Sequence, residues 1–203
     1  MTEMGNKALD VFWEAVKEQV TYTIESVDKE ALGKAAELIQ ESVKNGGRIH
    51  VTGIGKPGHL AGYISSLMAS TGTPTYFLHG TEAVHGSSGQ LVAGDVVIAI
   101  SNSGNTDELM ATIACVIDNG CKVIGVTGNS SSKLALNSDV CLLADIEKEG
   151  GPLNRAPRNS ILAEMLVLQM LTVILQADCN VTPEQYVKHH PHGALGKLRE
   201  GEV

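Results

Sequence analysis

Three times along this 203-residue chain, an apolar stretch ends in a glycine-rich loop that leads into a segment with helical spacing. Two further short apolar stretches, TPTYFLH (73–79) and DVCLLAD (139–145), follow the first and third of these units. Strands that are apolar on both faces and alternate with helices are typical of parallel sheets covered on both sides. The pattern therefore predicts an α/β three-layer sandwich with a five-stranded parallel sheet. The three repeated stretches are RIHVTGIG (48–55), DVVIAISNSG (95–104) and KVIGVTGNSS (122–131).

Residues 7–45 place apolar side chains at helical spacing, and Asp28 stands where it can cap a second helix. We therefore expect two helices ahead of the first strand. In this interpretation residues 1–45 form a helical segment packed on a domain of residues 46–203. A further helix is expected over residues 160–176.

The net charge of −8 and the scattered Lys and Arg residues lack the positive patch that binding to a phosphate backbone needs. Nucleic acid is therefore not an expected partner. The four cysteines, at positions 115, 121, 141 and 179, form neither a CxxC pair nor a grouping that suits zinc. We expect them to be buried thiols in a reducing cytoplasm.

The N-terminus has acidic residues where a signal peptide has a basic start and an apolar run. The longest apolar stretch, residues 161–175, contains Glu164 and Gln169 and is shorter than the roughly 20 residues of a membrane span. These features predict a cytoplasmic protein without a membrane segment.

Ligands of open parallel sheets bind beyond the carboxyl ends of the strands, so the loops that follow the strands are the candidate binding elements. Loop 101–106 reads SNSGNT and brings hydroxyl groups and backbone N–H groups to the start of a helix. The helix dipole favours an anion there, and the loop is a candidate phosphate site. The alternative is that Thr106 caps the helix and the serines only form a turn. The candidate phosphate-binding residues are Ser101, Asn102, Ser103 and Thr106.

The loop GIGKPG (53–58) lacks the GxGxxG register and the downstream acid of a dinucleotide site, so no nicotinamide cofactor is expected. Gly55 allows the backbone to approach a ligand, and Lys56 can neutralise a phosphate or polarise an oxygen. The alternative is that Lys56 is simply solvated.

His79, Glu82 and His85 lie in LHGTEAVHG, and all three are residue types that bind metal. No fourth ligand is identifiable from the spacing. Hydrogen bonds to a sugar are therefore preferred, and no metal is expected.

Two carboxylates and one histidine stand out as candidate acid–base groups. Glu108 lies in the first turn of the helix after loop 101–106, where an acid also has a purely structural explanation. Glu149 lies in the Gly-Gly-Pro segment after the last strand, where general acid–base catalysis would need such a group. His190 belongs to a histidine-rich turn that would suit metal binding, titration near neutrality or catalysis.

Six segments between about residues 48 and 196 follow one another as a set: GIGKPGH, STGTP, HGTEAVHGSSGQ, SNSGN, KEGGPLNRAPRNS and HPHGALG. The set resembles the sugar isomerase (SIS) domain, and within that group the D-arabinose 5-phosphate isomerases. Their corresponding segments read GxGKSGH, STGTP, HxxEAxHGDLGM, SNSGE, KExCPLxLAPTSS and HPGGALG. The resemblance implies a flavodoxin-like or Rossmann-like fold, no cofactor and a phosphosugar substrate.

The resemblance further implies that D-ribulose 5-phosphate and D-arabinose 5-phosphate are interconverted through an enediol. Glu149 or Glu108 would be the base, and His190 would assist ring opening or oxygen protonation. Lys56 would stabilise the negative charge of the enediolate. The resemblance also assigns the phosphate to loop 101–106. It places His79, Glu82 and His85 close to the sugar.

Several positions depart from the family pattern around the expected substrate. Pro57 replaces a serine and Asn105 a glutamate, while Arg155, Arg158 and Asn159 replace small or hydroxylic residues. The segment SSGQ (87–90) also differs from DLGM. Two alternatives therefore stay open: an isomerase for another phosphosugar, and a non-catalytic module that binds a phosphosugar and regulates a partner.

The paired CBS modules that often follow the isomerase domain are not in this sequence, so we expect no nucleotide regulation through them. The resemblance also implies a homodimer or homotetramer. Its expected interfaces are the N-terminal helices and residues 160–176.

Overall fold

A computed structural model describes residues 1–202 and contains five strands, seven α-helices and three short 3-10 turns in that part of the chain. The strands are β1 (Ile49–Gly53), β2 (Thr75–Phe77), β3 (Val96–Ile100), β4 (Lys122–Thr127) and β5 (Val140–Leu143). The helices are α1 (Glu3–Ser26), α2 (Lys29–Lys44), α3 (Lys56–Ser70), α4 (Asp107–Asp118), α5 (Lys133–Leu136), α6 (Asn159–Asp178) and α7 (Pro183–His189). The 3-10 turns cover Glu82–His85, Ser87–Gln90 and Ala194–Gly196.

All five strands are parallel and stand in the order β2-β1-β3-β4-β5, which confirms the predicted sheet. In register, Ile98 of β3 lies between Val51 of β1 and Ile124 of β4. From β1 the chain moves outward to β2 and then returns to the other side of β1 as β3. The strand order thus reverses between β1 and β3, and a crevice for ligands is expected at their carboxyl ends.

Helices cover both faces of the sheet, as predicted. On one face α2, α3 and α6 pack against strand residues such as Val51, Ile98 and Val126. On the other face α4 packs against residues such as Val97 and Val123. Because neighbouring residues of β3 belong to opposite cores, the strand is apolar throughout.

The two N-terminal helices form as expected. Asp28 caps α2, since its Oδ1 accepts the N–H of Glu30 at 2.9 Å and that of Ala31 at 3.1 Å. α2 buries one apolar face in the main core, and α1 packs on α6.

The predicted helix over residues 160–176 is α6, extended by one residue at its start and two at its end. α6 is long and apolar enough to cross a membrane, but 44% of its most apolar window is buried within this fold. The core helix of a soluble protein meets the same criteria.

The structure corrects two predictions in part. In the histidine-rich segment 188–196, only Lys188 and His189 belong to a helix, α7, which begins with a capping box between Thr182 and Gln185; residues 190–193 are not helical. The cysteines were expected to be buried, but Cys179 is exposed because it follows the last turn of α6. Only Cys121 is buried among the four, and all are free thiols.

Candidate active site

The loop after β1 is a tight turn in which backbone touches backbone. A Cβ atom on Gly58 would lie 2.7 Å from the carbonyl oxygen of Gly53, and Gly55 has φ +67°. α3 begins at Lys56, inside the segment 53–58 that the sequence predicted to be a loop. Pro57 fits in this first turn, where a backbone N–H has no intrahelical partner. It also leaves this helix end with one N–H fewer for an anion.

Lys56 is exposed and lies at the rim of a cleft of about 440 Å³ between α3 and α6. The other residues that line this cleft are His59, Leu60, Tyr63, Pro157, Ile161 and Met165. The Lys56 side chain is thus next to the first turns of α6.

Loop 101–106 lies at the carboxyl end of β3 and has hydroxyl groups turned toward one another. The Oγ of Ser101 accepts the N–H of Gly104 at 3.1 Å and lies 3.5 Å from the Oγ1 of Thr106. Thr106 directly precedes α4, but its side chain makes no capping hydrogen bond. The alternative of a side-chain cap is therefore wrong, and the first N–H groups of α4 keep the capacity to bind an anion.

The loop after β4 fixes the shape of loop 101–106. The Asn102 carbonyl accepts the Oγ1–H of Thr127 at 3.1 Å and the N–H of Gly128 at 2.9 Å. The Asn105 side chain accepts the N–H of Lys133 at 3.0 Å. The replacement of the family glutamate by Asn105 thus supplies a contact that holds the loop.

His79 lies beside the glycine loop, whereas Glu82 and His85 lie on the following 3-10 turn. All three side chains are exposed. His79 shares a cleft of about 360 Å³ with Gly55, and its Nδ1 is 3.1 Å from the Oγ1 of Thr81. Within residues 1–202 there is no group of three or more His, Cys, Asp or Glu that could hold a metal ion.

Glu108 lies in the first turn of α4, next to loop 101–106, and is exposed. Its carboxylate makes no protein hydrogen bond among the residues that the structure describes. The favourable interaction of a first-turn acid with the helix dipole still accounts for this position.

Glu149 is held at the start of α6. Its Oε2 accepts the N–H of Arg158 at 2.6 Å and the N–H of Ser160 at 3.2 Å. The Oδ1 of Asn154 accepts the N–H of Glu149 at 2.7 Å, which fixes the loop around it. Glu149 and Lys56 therefore both lie beside the first turns of α6.

His190 does not join this site within one chain. Its Nδ1 is 2.9 Å from the carbonyl oxygen of Tyr186, and the adjacent His189 lies 3.1 Å from the carbonyl oxygen of Ser70. Ser70 is the last residue of α3 and Lys56 is the first, and a helix of this length spans about 21 Å. The predicted set of four is thus split, with three residues at the carboxyl ends of the strands and His190 at the far end of α3.

One ionisable group near the site was not among the candidate site residues predicted from the sequence. It was used there only as an argument against a membrane span. Glu164 in α6 is fully buried, and burial together with the charge of Glu149 raises its pKa to about 8. The sequence signal that could have identified Glu164 was its position as a single acid in an apolar helix. Its spacing of four residues from Ser160 would have placed both on one helix face.

A family model for the SIS domain matches residues 43–174, which is more than half of the chain. The chain belongs to the SIS domain family. The match begins at the end of α2 and extends into α6, so it contains all five strands and both loops at the switch point.

Three similar proteins illustrate the place of this SIS chain in the family. The arabinose 5-phosphate isomerase KdsD of Francisella tularensis subsp. tularensis is 37% identical over 197 residues, covering 97% of this chain and 60% of that protein. KdsD of Pseudomonas aeruginosa is 39% identical over 164 residues, covering 81% and 49% of the two proteins. The structure of E. coli CFT073 c3406 in complex with arabinose 5-phosphate has a TM-score of 0.82 and 32% identity, covering 94% of this chain and 100% of that one. The SIS chain thus spans 49 to 60% of the length of these two curated relatives.

Proposed function

We propose that this chain is an aldose–ketose isomerase of phosphosugars that interconverts D-ribulose 5-phosphate and D-arabinose 5-phosphate through an enediol. The observation that carries the proposal is the start of α4, which has no side-chain cap and lies beside the Ser101 and Thr106 hydroxyl groups at the same sheet edge as the Lys56 loop. The names of the curated relatives and the sugar phosphate bound to c3406 support the same substrate. No redox cofactor takes part in this reaction.

The phosphate would bind at loop 101–106. Ser101, Ser103 and Thr106 offer hydroxyl groups, and the first turn of α4 offers backbone N–H groups at the positive end of the helix dipole. Asn102 acts on the loop itself, because its carbonyl is held by the loop after β4. This assignment leaves the sugar to extend toward Lys56, Gly55 and His79. Glu82 and His85 would contact it from the 3-10 turn.

The isomerisation needs a base that takes a proton from one carbon and returns it to the neighbouring carbon. Glu149 suits this task, because two backbone N–H groups fix its Oε2 while Oε1 has no protein partner in the part of the chain described. The electron pair of the broken C–H bond forms the enediol, and the carbonyl oxygen takes up negative charge or a proton. The Lys56 ammonium would stabilise that charge. Glu108, with a carboxylate that nothing fixes, is the less suitable base.

His190 would reach the site only from another copy of the chain, since within one copy it lies at the opposite end of α3. We therefore propose a homodimer or homotetramer whose sites combine residues of two chains. The apolar side chains that α1 exposes, among them Val11, Trp13 and Ile24, provide a surface for such contacts.

The net charge of −8 argues against nucleic acid as a partner. The core position of the α6 leucines argues against a membrane span. We propose a cytoplasmic location on these grounds.

The first test is conversion of D-ribulose 5-phosphate followed by NMR. We expect arabinose 5-phosphate to form with the purified chain. The Glu149→Gln variant should lose turnover by at least about a hundredfold, as expected for loss of a general base, while it still binds the sugar phosphate. Glu147→Gln removes an exposed acid from the same loop and should keep full activity.

Two outcomes would support the other functions. If other phosphosugars but not these pentose phosphates raise the melting temperature and turn over, the departures near the site have changed the substrate. Arg158 is the strongest such departure, because its guanidinium lies against Gly151, next to Glu149. If the chain binds sugar phosphate but converts none, it is a binding module. A turnover rate that Glu149→Gln leaves unchanged would instead refute Glu149 as the base.

A further inference from the structure

A carboxyl group without a hydrogen-bond partner is buried in the second turn of α6. Glu164 has no exposed surface, and neither of its oxygens has a partner within residues 1–202. The Oγ of Ser160, one turn earlier, is buried without a partner as well. Buried polar groups in folded proteins nearly always have partners. Two exceptions on one helix face therefore indicate a role beyond packing.

The same turn of α6 holds the proposed base. The N–H of Ser160 donates to Glu149 at 3.2 Å, so the Glu149 carboxylate lies against the turn that precedes Glu164. Among the charged groups of residues 1–202, Glu149 is the one whose negative charge raises the pKa of Glu164. Burial is the larger influence, the charge of Glu149 adds to it, and together they raise the pKa of Glu164 to about 8.

The elements packed against α6 bring no other titratable group to Glu164. The faces that α1, α2 and α3 bury carry no ionisable side chain in the part of the chain described; their polar members are Gln19, Thr23, Ser42 and Ser65. At the same end of the molecule, Lys56 and Arg158 are exposed, the Arg158 guanidinium lies against Gly151, and Glu18 pairs with Lys148 at the surface. The proton of Glu164 is therefore governed by burial and by Glu149.

We propose that Glu164 is a positioning residue of the site: it serves as a neutral acid beneath Glu149, and loss of its proton weakens the binding of an anionic sugar phosphate. The inference rests on the proposed function, because it assigns Glu164 to that same site. When Glu164 ionises, its O–H bond breaks, the proton passes to solvent, and a second negative charge stays beside Glu149. In a buried environment that charge is poorly screened. It therefore opposes both the phosphate and the charge that develops on the enediolate.

The test measures the affinity for arabinose 5-phosphate by calorimetry between about pH 6 and about pH 9.5, a range that brackets the titration of such a buried acid. The chains compared are the wild type, Glu164→Gln and the control Glu147→Gln, which removes an exposed acid from the loop before α6. For the wild type and the control, affinity should fall with a midpoint near pH 8. Glu164→Gln should keep its affinity, and one pH unit above the midpoint it should bind about tenfold more tightly than the wild type. The same pH dependence of affinity in the wild type, Glu164→Gln and Glu147→Gln would overturn the proposal.

A second measurement follows the carboxyl group itself. In ¹³C NMR of the folded wild type, the Glu164 resonance, assigned by its loss in Glu164→Gln, should titrate near pH 8, and at lower pH in Glu149→Gln. Titration in the ordinary range of a glutamate would contradict the inference. If Glu164→Gln does not fold, Glu164→Leu replaces it, and the alkaline loss of affinity must be absent there too.

Turnover, measured in the same samples, tests the proposed isomerase function separately from the proposed role of Glu164. A wild type that binds the sugar phosphate but does not convert it refutes the proposed function, while its affinity profile still decides the role of Glu164. A wild type that binds no sugar phosphate at any pH refutes both.

Discussion

Glu149 and Glu164 are two carboxyl groups near the start of α6 that have opposite environments. Glu149 has two backbone N–H donors and partial exposure, which suits a charged group. Glu164 has neither donors nor solvent, so its neutral form is favoured. Environment rather than residue type therefore decides which of the two would act as a base.

The buried acid should make the stability of the protein depend on pH. The pKa of Glu164 is about 8 in the folded chain against 4.5 for a free glutamate. Between pH 4.5 and about pH 8 the unfolded chain therefore loses a proton that the folded chain still holds. Stability therefore falls as pH rises from about 5 to about 8, by about 5 kcal/mol at most. Urea denaturation at several pH values should show this fall in the wild type and not in Glu164→Gln. Equal slopes for both chains would contradict it.

Two helix starts show the difference between a structural and a functional N-terminus. Asp28 uses its side chain to cap α2, whereas Thr106 stands at the same position of α4 and caps nothing. A helix start without a cap loses stability unless something else uses its N–H groups. Of these two helix starts, that of α4 is therefore the one whose N–H groups remain available to a ligand.

Substitutions at these two positions should have opposite consequences. Asp28→Ala should lower the free energy of unfolding by about 1 kcal/mol and leave KM unchanged, because it removes only a cap. Thr106→Val should change stability little and raise KM for the sugar phosphate about tenfold, through loss of one hydrogen bond to a charged group. Urea denaturation and steady-state kinetics on both variants check this pair. The same response from the two would refute the assignment of loop 101–106.

At the scale of the whole molecule, the proposed catalytic groups of one chain lie at the two ends of α3, with Lys56 at its first residue and His190 near its last. A closed symmetric assembly can bring one end of a chain to the other end of its neighbour. The exposed apolar residues of α1 are consistent with such an assembly.

Mixing two inactive variants tests whether the site is shared. Glu149→Gln and His190→Ala should each lose most activity, and a mixture refolded together should recover about a quarter of the wild-type rate if the protein is a dimer with symmetric interfaces. Recovery arises because one site of each mixed dimer has both native residues. Sedimentation gives the oligomeric state. A monomer, or a mixture without recovery, would contradict the shared site.

The sequence by itself determined the elements of this protein and the loops that carry chemistry. Continuous apolar strands, alternating with helices, have one stable arrangement, a parallel sheet covered on both faces, and its ligands bind where the strands end. Spacing along the chain was enough to predict Asp28 as a cap and loop 101–106 as a helix start. The start of α3 at Lys56 was missed, because Pro57 resembles a turn residue as much as a first-turn residue.

Only the tertiary structure decided which of these residues lie together. His190 is close to the end of the sequence motif set, but α7 packs on the last turn of α3 and carries it away from Lys56. Glu164 looked like an argument against a membrane span, and its meaning changed when α1, α2 and α3 enclosed it beside Glu149. The physical reason is the same in both cases: local sequence sets φ, ψ and amphipathic faces, whereas distance, burial and the charge that one group feels from another arise when distant segments pack.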